Sequence, residues 1–165
     1  MTQKNTTTTI RPATAMDSVA IVRLIRAGYA ETPAKDIGAL DEQKLLEYVT
    51  GTLRHAFVVV ADQGSGRTVG SIALAPIRVP WCNAVVMAES WFAVVEAHRV
   101  KGIPEQLLTA AEAFLDKNGL VGFLGTQMLT PASMNIIIAK RSAYAPSRHT
   151  FLRLPATALK KAAGG

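Results

Sequence analysis

The chain reads as an α/β protein, a mixed sheet with helices on its faces, and three observations predict it. Apolar residues recur at strand-like and at helical spacing in alternating stretches along most of the length. Two β-branched runs, "AFVVVAD" and "TVGSIALAPIRV", flank a glycine-rich turn, which calls for antiparallel pairing. Further on, strand, helix and strand follow within about thirty-five residues, the length of a crossover that sets two strands parallel.

A chain of 165 residues buries a substantial core as one domain, and two would be cramped. The domain is expected over 9–155, between an N-terminal tail, 1–8, and a basic Ala/Gly tail, 156–165, that carries Lys160 and Lys161. An apolar fraction of 49% with 18% charged residues excludes disorder for most of it.

A short first strand is expected at 9–11, ending at Pro12. "MDSVAIVRLIRAGYAE" then sets Ile21, Val22, Ile25 and Tyr29 at helical spacing, with Asp17 or Thr14 available as N-cap. "ETPAKDIGAL" is a polar connector, and a second helix starts near Asp41 with Leu45, Leu46, Val49 and Leu53 on one face. The next two runs form a hairpin across "DQGSGR", whose glycines supply positive φ; no helix opens after it to make it a phosphate cradle. Beyond the turn "VPWCN", the run 85–95 completes an antiparallel meander. A helix over about 104–117 buries Leu107, Leu108, Ala111, Phe114 and Leu115 and stops at Asn118 and Gly119. "LVGFLG" returns as a fifth strand, parallel to the fourth. "TPASMNIIIAKRSA" gives a further helix with Thr130 as N-cap and Pro131 at the first position, and a last strand spans 148–154. The expected order is β-α-α-β-β-β-α-β-α-β.

Several function classes drop out. A single cysteine, Cys82, excludes an internal disulfide and fits a reducing cytoplasm, and no Cys/His grouping has zinc spacing. No apolar run approaches the roughly 18 to 20 residues of a membrane span, since 85–95 is broken by Glu89 and Ser90. The formal charge of +6 favours anionic ligands, yet the basic residues form no run with interleaved aromatics, so nothing argues for nucleic acid. His55, His98 and His149 are scattered, and no serine or cysteine sits in a nucleophile elbow.

The informative stretch is "WFAVVEAHRVKGIPEQLLTAAEAFL", 91–115. A helix N-terminus leaves its first amides unpaired and carries about half a positive charge. Gly102 lets the backbone turn close to a ligand, and Arg99 and Lys101 add charge beside the amides, so a phosphate or pyrophosphate is the natural occupant. A solvated basic loop is the bland alternative.

The element order, together with Arg99-Val100-Lys101-Gly102-Ile103-Pro104, resembles the GCN5-related N-acetyltransferase (GNAT) family, whose acyl-CoA signature is Arg or Gln, two residues, Gly, one residue, then Gly or Ala. The chain matches at Arg99 and Gly102 and departs at Pro104. The resemblance implies that the fourth and fifth strands splay at a bulge, with the pantetheine arm pairing to main-chain groups near Phe92 and Val94 and the pyrophosphate on amides from Val100 to about Glu105. Asn135 resembles the asparagine near the pantetheine on the family's next helix, or is a polar residue on a solvated turn. The family tyrosine that protonates the departing thiolate is replaced by Ser142. Tyr144 is then the remaining candidate acid, with packing as its alternative. Glu89, the one acid in its strand, is the candidate general base; flanked by Met87, Ala88, Trp91 and Phe92 it would have a raised pKa, unless it points outward.

The resemblance thus implies an N-acyltransferase moving an acetyl group from acetyl-CoA, or another acyl-CoA, to a primary amine of a small molecule or protein, with no metal. Glu31, Asp36, Asp41 and Glu42 are candidates to line the acceptor side. Pro104 lacks an amide hydrogen, which would weaken cofactor binding by about ten- to a hundredfold. Together with Ser142 it motivates the rival reading, a GNAT-fold protein of weak or no catalysis that binds a partner protein. Family members often dimerise through sheet edges or the C-terminal strand, so a homodimer is an expectation.

Overall fold

A computed structural model of the chain describes residues 7–64, 66–78, 83, 85–125 and 129–140. The expected last strand at 148–154, the tail 156–165 and most of the N-terminal tail lie outside them, as do Cys82, Ser142, Tyr144 and His149.

Among the described residues five strands form one sheet in chain order: β1 (Thr9–Pro12), β2 (Phe57–Asp62), β3 (Thr68–Arg78), β4 (Val85–Val94) and β5 (Val121–Phe123). The first four are antiparallel neighbours and β5 lies parallel to β4, as the hairpin and the crossover require. The hairpin between β2 and β3 turns through Gly64 (φ +84°) and Gly66 (φ +73°). The helices are α1 (Ser18–Gly28), α2 (Glu42–Leu53), α3 (Glu96–Arg99), α4 (Ile103–Asn118) and α5 (Ala132–Ala139). The one-turn helix α3 is absent from the expected order, because four residues are too few to show a helical period. The connector after α1 is likewise more ordered than its composition implies, folding as 3-10 turns at Tyr29–Glu31 and Pro33–Asp36. The Tyr29 hydroxyl lies 2.9 and 2.8 Å from the carbonyl oxygens of Ala34 and Gly38, which ties that connector together.

Strand alternation divides the core between the two faces of the sheet. On one face, Val58, Val60, Ala73, Trp91 and Ala93 pack under α1 and α2 through Ile21, Ile25, Leu45 and Val49. The other face packs Val59, Ile72, Leu74, Phe92 and Val94 under α4 through Ile103, Leu107, Leu108 and Ala111, with Met134 and Ile138 of α5. Side chains of helix α4 fill the space over Gly70 of β3: a Cβ there would stand 3.0 Å from Leu107 Cδ1 and 3.2 Å from Ile103 Cγ2. The indole of Trp91 is fully buried, and its Nε1 donates to Ser71 Oγ (3.1 Å), which donates in turn to the Val59 carbonyl (3.0 Å). No polar atom in that chain is left unpaired, as burial demands.

Both candidate caps at the start of α1 take part in one motif. Asp17 accepts from the Thr14 amide (2.7 Å) and hydroxyl (3.1 Å), and from the two terminal nitrogens of Arg11 (2.9 and 2.8 Å). The Nε of Arg11 reaches Asp62 (2.9 Å), so one guanidinium joins β1, the entry to α1 and the end of β2. These bonds, led by the one from Arg11, pull the Asp17 carboxyl from 3.8 down to about 2. A depressed carboxyl stabilises the fold above its ordinary value and loses that contribution as pH falls through its folded value, here about 2 kcal/mol. Arg11→Gln should therefore be less stable than the wild type at about pH 6, with the gap shrinking by about 2 kcal/mol near pH 2. Urea unfolding at both pH values checks this, and a gap that does not change with pH refutes it.

Candidate functional site

The site begins at a break in the sheet. Opposite β3, Trp91 pairs with Ala73 and Glu89 with Leu74, so Ser90 is an extra residue that bulges β4. On the other edge, β5 pairs with β4 only at Val86, Met87 and Ala88. From Glu89 onward that edge of β4 has no strand partner among the described residues, because β5 ends at Phe123 and leaves a gap beside it. Phe92 and Val94 lie beyond the bulge with their side chains in the core, which leaves main-chain groups to face the gap.

Glu89 stands at the point of parting and is completely buried. Its outward-pointing alternative is therefore excluded. One carboxylate oxygen accepts from the Gly125 amide (2.9 Å) and the other from the Thr130 hydroxyl. Burial pushes the carboxyl above the usual carboxylate range, and the two hydrogen bonds oppose that shift. Thr130 differs from its expected role as N-cap: α5 begins one residue later, with Pro131 at the cap position, and the threonine hydroxyl points to Glu89 instead. A threonine before a proline looks like a cap in any sequence. The only signal for its real partner was that an acid buried among apolar neighbours needs a donor from elsewhere in the chain.

The junction after β4 folds as α3, a turn through Val100 and Lys101, and Gly102 at φ +74° as N-cap of α4. A Cβ on Gly102 would meet nothing within 4 Å, so the turn borders open space. The first bond into α4 runs from the Gln106 amide to the Gly102 carbonyl (3.1 Å), which leaves the amides of Ile103 and Glu105 without intrahelical partners. Pro104, buried in the first turn, contributes none.

Arg99 turns away from this surface. Its guanidinium forms a two-pronged pair with Glu31 (2.6 and 2.9 Å), its Nε donates to the Val94 carbonyl (3.0 Å), and Ser133 Oγ lies 3.4 Å away. The pair lowers the Glu31 carboxyl and raises the guanidinium. Lys101 is exposed at the turn. His98, buried behind it, is pushed down by desolvation and by the positive charges of Lys101 and Arg67. Asn135 lies on the exposed side of α5 beside Gly125, within 3.0 Å of where a Cβ on that glycine would stand. The acids expected to line an acceptor side are mostly engaged: Glu31 with Arg99, Glu42 with Arg26 (3.0 Å), and Asp41 with the Lys44 amide (3.1 Å). Among the described residues, no group of three His, Cys, Asp or Glu comes together as a metal site, and no helix is long and apolar enough to cross a membrane.

Comparison with known proteins adds to this geometry. Residues 22–137 match the family model described as "Acetyltransferase (GNAT) family". No curated protein matches by sequence. Among solved structures, the chain is similar to a GCN5-related N-acetyltransferase from Ralstonia eutropha JMP134, with 18% identity and TM-score 0.65, over 90% of this chain and 99% of that one. A predicted acetyltransferase from Clostridium acetobutylicum, solved with acetyl-CoA, is similar at 12% identity and TM-score 0.69, over 92% and 97% of the two chains. An aminoglycoside acetyltransferase from an uncultured soil metagenomic sample, solved in complex with sisomicin, is similar at 18% identity and TM-score 0.60, over 90% and 97%. These likenesses show a shared fold.

Removing the Glu89 carboxylate separates its two structural effects. Glu89→Ala leaves the Gly125 amide and the Thr130 hydroxyl without their acceptor and should destabilise by about 2–3 kcal/mol. Glu89→Gln keeps an acceptor for the amide and offers the hydroxyl a donor, while removing a buried charge. A raised carboxyl pKa means that the wild type loses stability as pH rises above the ordinary carboxylate value. Glu89→Gln should thus gain on the wild type as pH rises above the ordinary carboxylate value in denaturant unfolding, and a constant or shrinking difference would contradict the assignment.

Proposed function

This chain belongs to the acetyltransferase (GNAT) family, and from that premise we propose that it is an N-acetyltransferase, moving an acetyl group from acetyl-CoA to a primary amine. The observation that carries the reading is Glu89, an ionisable group placed where β4 and β5 part and kept out of water. A buried carboxyl with a raised pKa is suited to take the proton of an ammonium ion near neutrality.

Acetyl-CoA supplies the thioester-activated acyl group. The residues suited to hold it are the main-chain groups of Phe92 and Val94 along the open edge of β4, for the amide-bearing arm, with Asn135 across the gap. The pyrophosphate falls to the amides of Val100, Gly102, Ile103 and Glu105 at the head of α4, where the open turn at Gly102 admits it; the Lys101 amide donates to the His98 carbonyl (3.2 Å), so that residue offers its side chain. Because the Arg99 guanidinium is committed to Glu31, the nearby counter-charge is Lys101. In the transfer, Glu89 takes the proton that the acceptor nitrogen must lose before it can attack. The nitrogen–carbon bond forms as the carbon–sulfur bond of the thioester breaks, and the thiolate leaves to be protonated. Tyr144, the proposed acid for that last proton, lies outside the described residues.

Acetyl-CoA titration calorimetry and a thiol-release assay over an amine panel test the reading; the absence of heat at millimolar ligand would sink it. Glu89→Gln should lower kcat by about 10²- to 10⁴-fold, the range of a lost general base, while keeping acetyl-CoA affinity. The base works only when ionised, so wild-type kcat/KM should fall with acid from a point above the ordinary glutamate range. Pro104→Ala restores an amide to the head of α4 and should tighten acetyl-CoA binding by about tenfold; unchanged affinity would mean that the missing donor plays no part.

A further inference from the structure

A groove of about 370 Å³ runs between the C-terminal half of α2 and the β3–β4 pair, ending at the bulge residues Glu89 and Ser90. Three small residues create it. Gly51 on the helix faces Ala75 and Ala88, which sit directly opposite each other across the two strands. A Cβ on Gly51 would meet nothing within 4 Å. The sides are apolar: Tyr48 and Ile77, each 43% exposed, border the groove, and the Tyr48 ring is held edge-on to Trp91 with centroids 6.1 Å apart. The Thr52 hydroxyl is spent on the Tyr48 carbonyl (2.8 Å).

Charge narrows the occupant further. The lining contains no lysine or arginine although the chain carries a formal +6. The one carboxylate its lining exposes is that of Glu47, which stands at the rim and accepts from Gln43 (3.0 Å); the Glu89 carboxylate is turned away, buried against Gly125 and Thr130. Glu31, Asp41 and Glu42 are already held by other groups, so no acidic wall waits for a second or third cation.

We infer that this groove is the acceptor subsite, and that it takes a primary amine borne on a small apolar or aromatic body, with one cationic nitrogen rather than several. The apolar body lies on the alanine floor against Tyr48 and Ile77, and the nitrogen points to the bulge. The volume is near the lower end of small-molecule pockets, which suits one ring and a short arm. The inference rests on the proposed acetyl transfer, and calorimetry with acetyl-CoA alone tests that premise separately.

The acceptor experiment compares phenethylamine, spermidine and kanamycin by thiol release, in the wild type and in Gly51→Phe. The substituted position has room for a side chain, and leaving glycine favours the helix. Phenethylamine should exceed the two polycations by about tenfold or more in kcat/KM, and Gly51→Phe should raise its KM by about tenfold without moving acetyl-CoA affinity. Gly51→Ala, a smaller filling, should give a smaller rise in the same direction. Preference for spermidine or kanamycin, or an unchanged phenethylamine KM in folded Gly51→Phe, overturns the inference. Ligand-observed NMR with phenethylamine reads the groove without turnover: a signal lost in Gly51→Phe supports the assignment, and equal signals in both proteins refute it.

Discussion

The carboxylate of Glu89, held between the Gly125 amide and the Thr130 hydroxyl, fixes where the sheet stops being continuous. Before it, β4 and β5 share three residue pairs in an ordinary parallel ladder. Past it, β5 has ended and the chain turns toward α5, yet the two sides remain tied through one side chain. An unpaired strand edge is costly to leave unsupported, because its main-chain groups lose their hydrogen-bond partners. Here the bulge at Ser90 and the Glu89 bonds hold the gap in a defined form. The same arrangement also keeps a carboxyl out of water, and that burial is what raises its pKa.

Arg99 holds together what lies around that gap. Its Nε is bonded to the end of β4, its terminal nitrogens grip Glu31 in the connector after α1, and Ser133 of α5 is within reach. Three segments distant in sequence therefore converge on one guanidinium, whose planar fork suits a carboxylate better than any lysine would. The side chain is only 15% exposed, so this pair is less screened than a typical surface ion pair. The consequence is geometric: the connector after α1 and the turn at the head of α4 are braced against each other.

Most of the fold was legible in the sequence because it is written in short-range patterns. The Val-rich runs, the "DQGSGR" turn and the stripe from Leu107 to Leu115 each declare their element within a dozen residues, and the crossover rule then fixes how β5 meets β4. Glu89 was legible as an anomaly, the one acid in an apolar strand. What holds it was not, since Thr130 lies forty-one residues away and its neighbour Pro131 makes it look like a helix cap. Arg99 posed the same problem. A basic loop before a helix reads as a ligand site, whereas the carboxylate that takes its charge is sixty-eight residues earlier, in a connector with no periodic pattern. Side-chain pairs of this reach leave no trace in spacing, and the one-turn α3 is too short to leave one either.

The head of α4 can now be weighed as a balance of donors and charge. Gly102 provides the left-handed turn that aims the free amides outward, and Lys101 supplies an exposed charge beside them. Pro104 removes one donor from that set, but it is buried in the first turn, where a proline fits the helix without loss of any intrahelical bond. It stands beside Ile103, which packs over Gly70 of β3 and so anchors the turn to the sheet. With Arg99 already neutralised, an anion placed here would be held by fewer main-chain donors and one flexible side chain, on a turn made rigid by proline and close packing. Rigidity of this kind lowers the entropy lost on binding, which offsets part of the missing hydrogen bond.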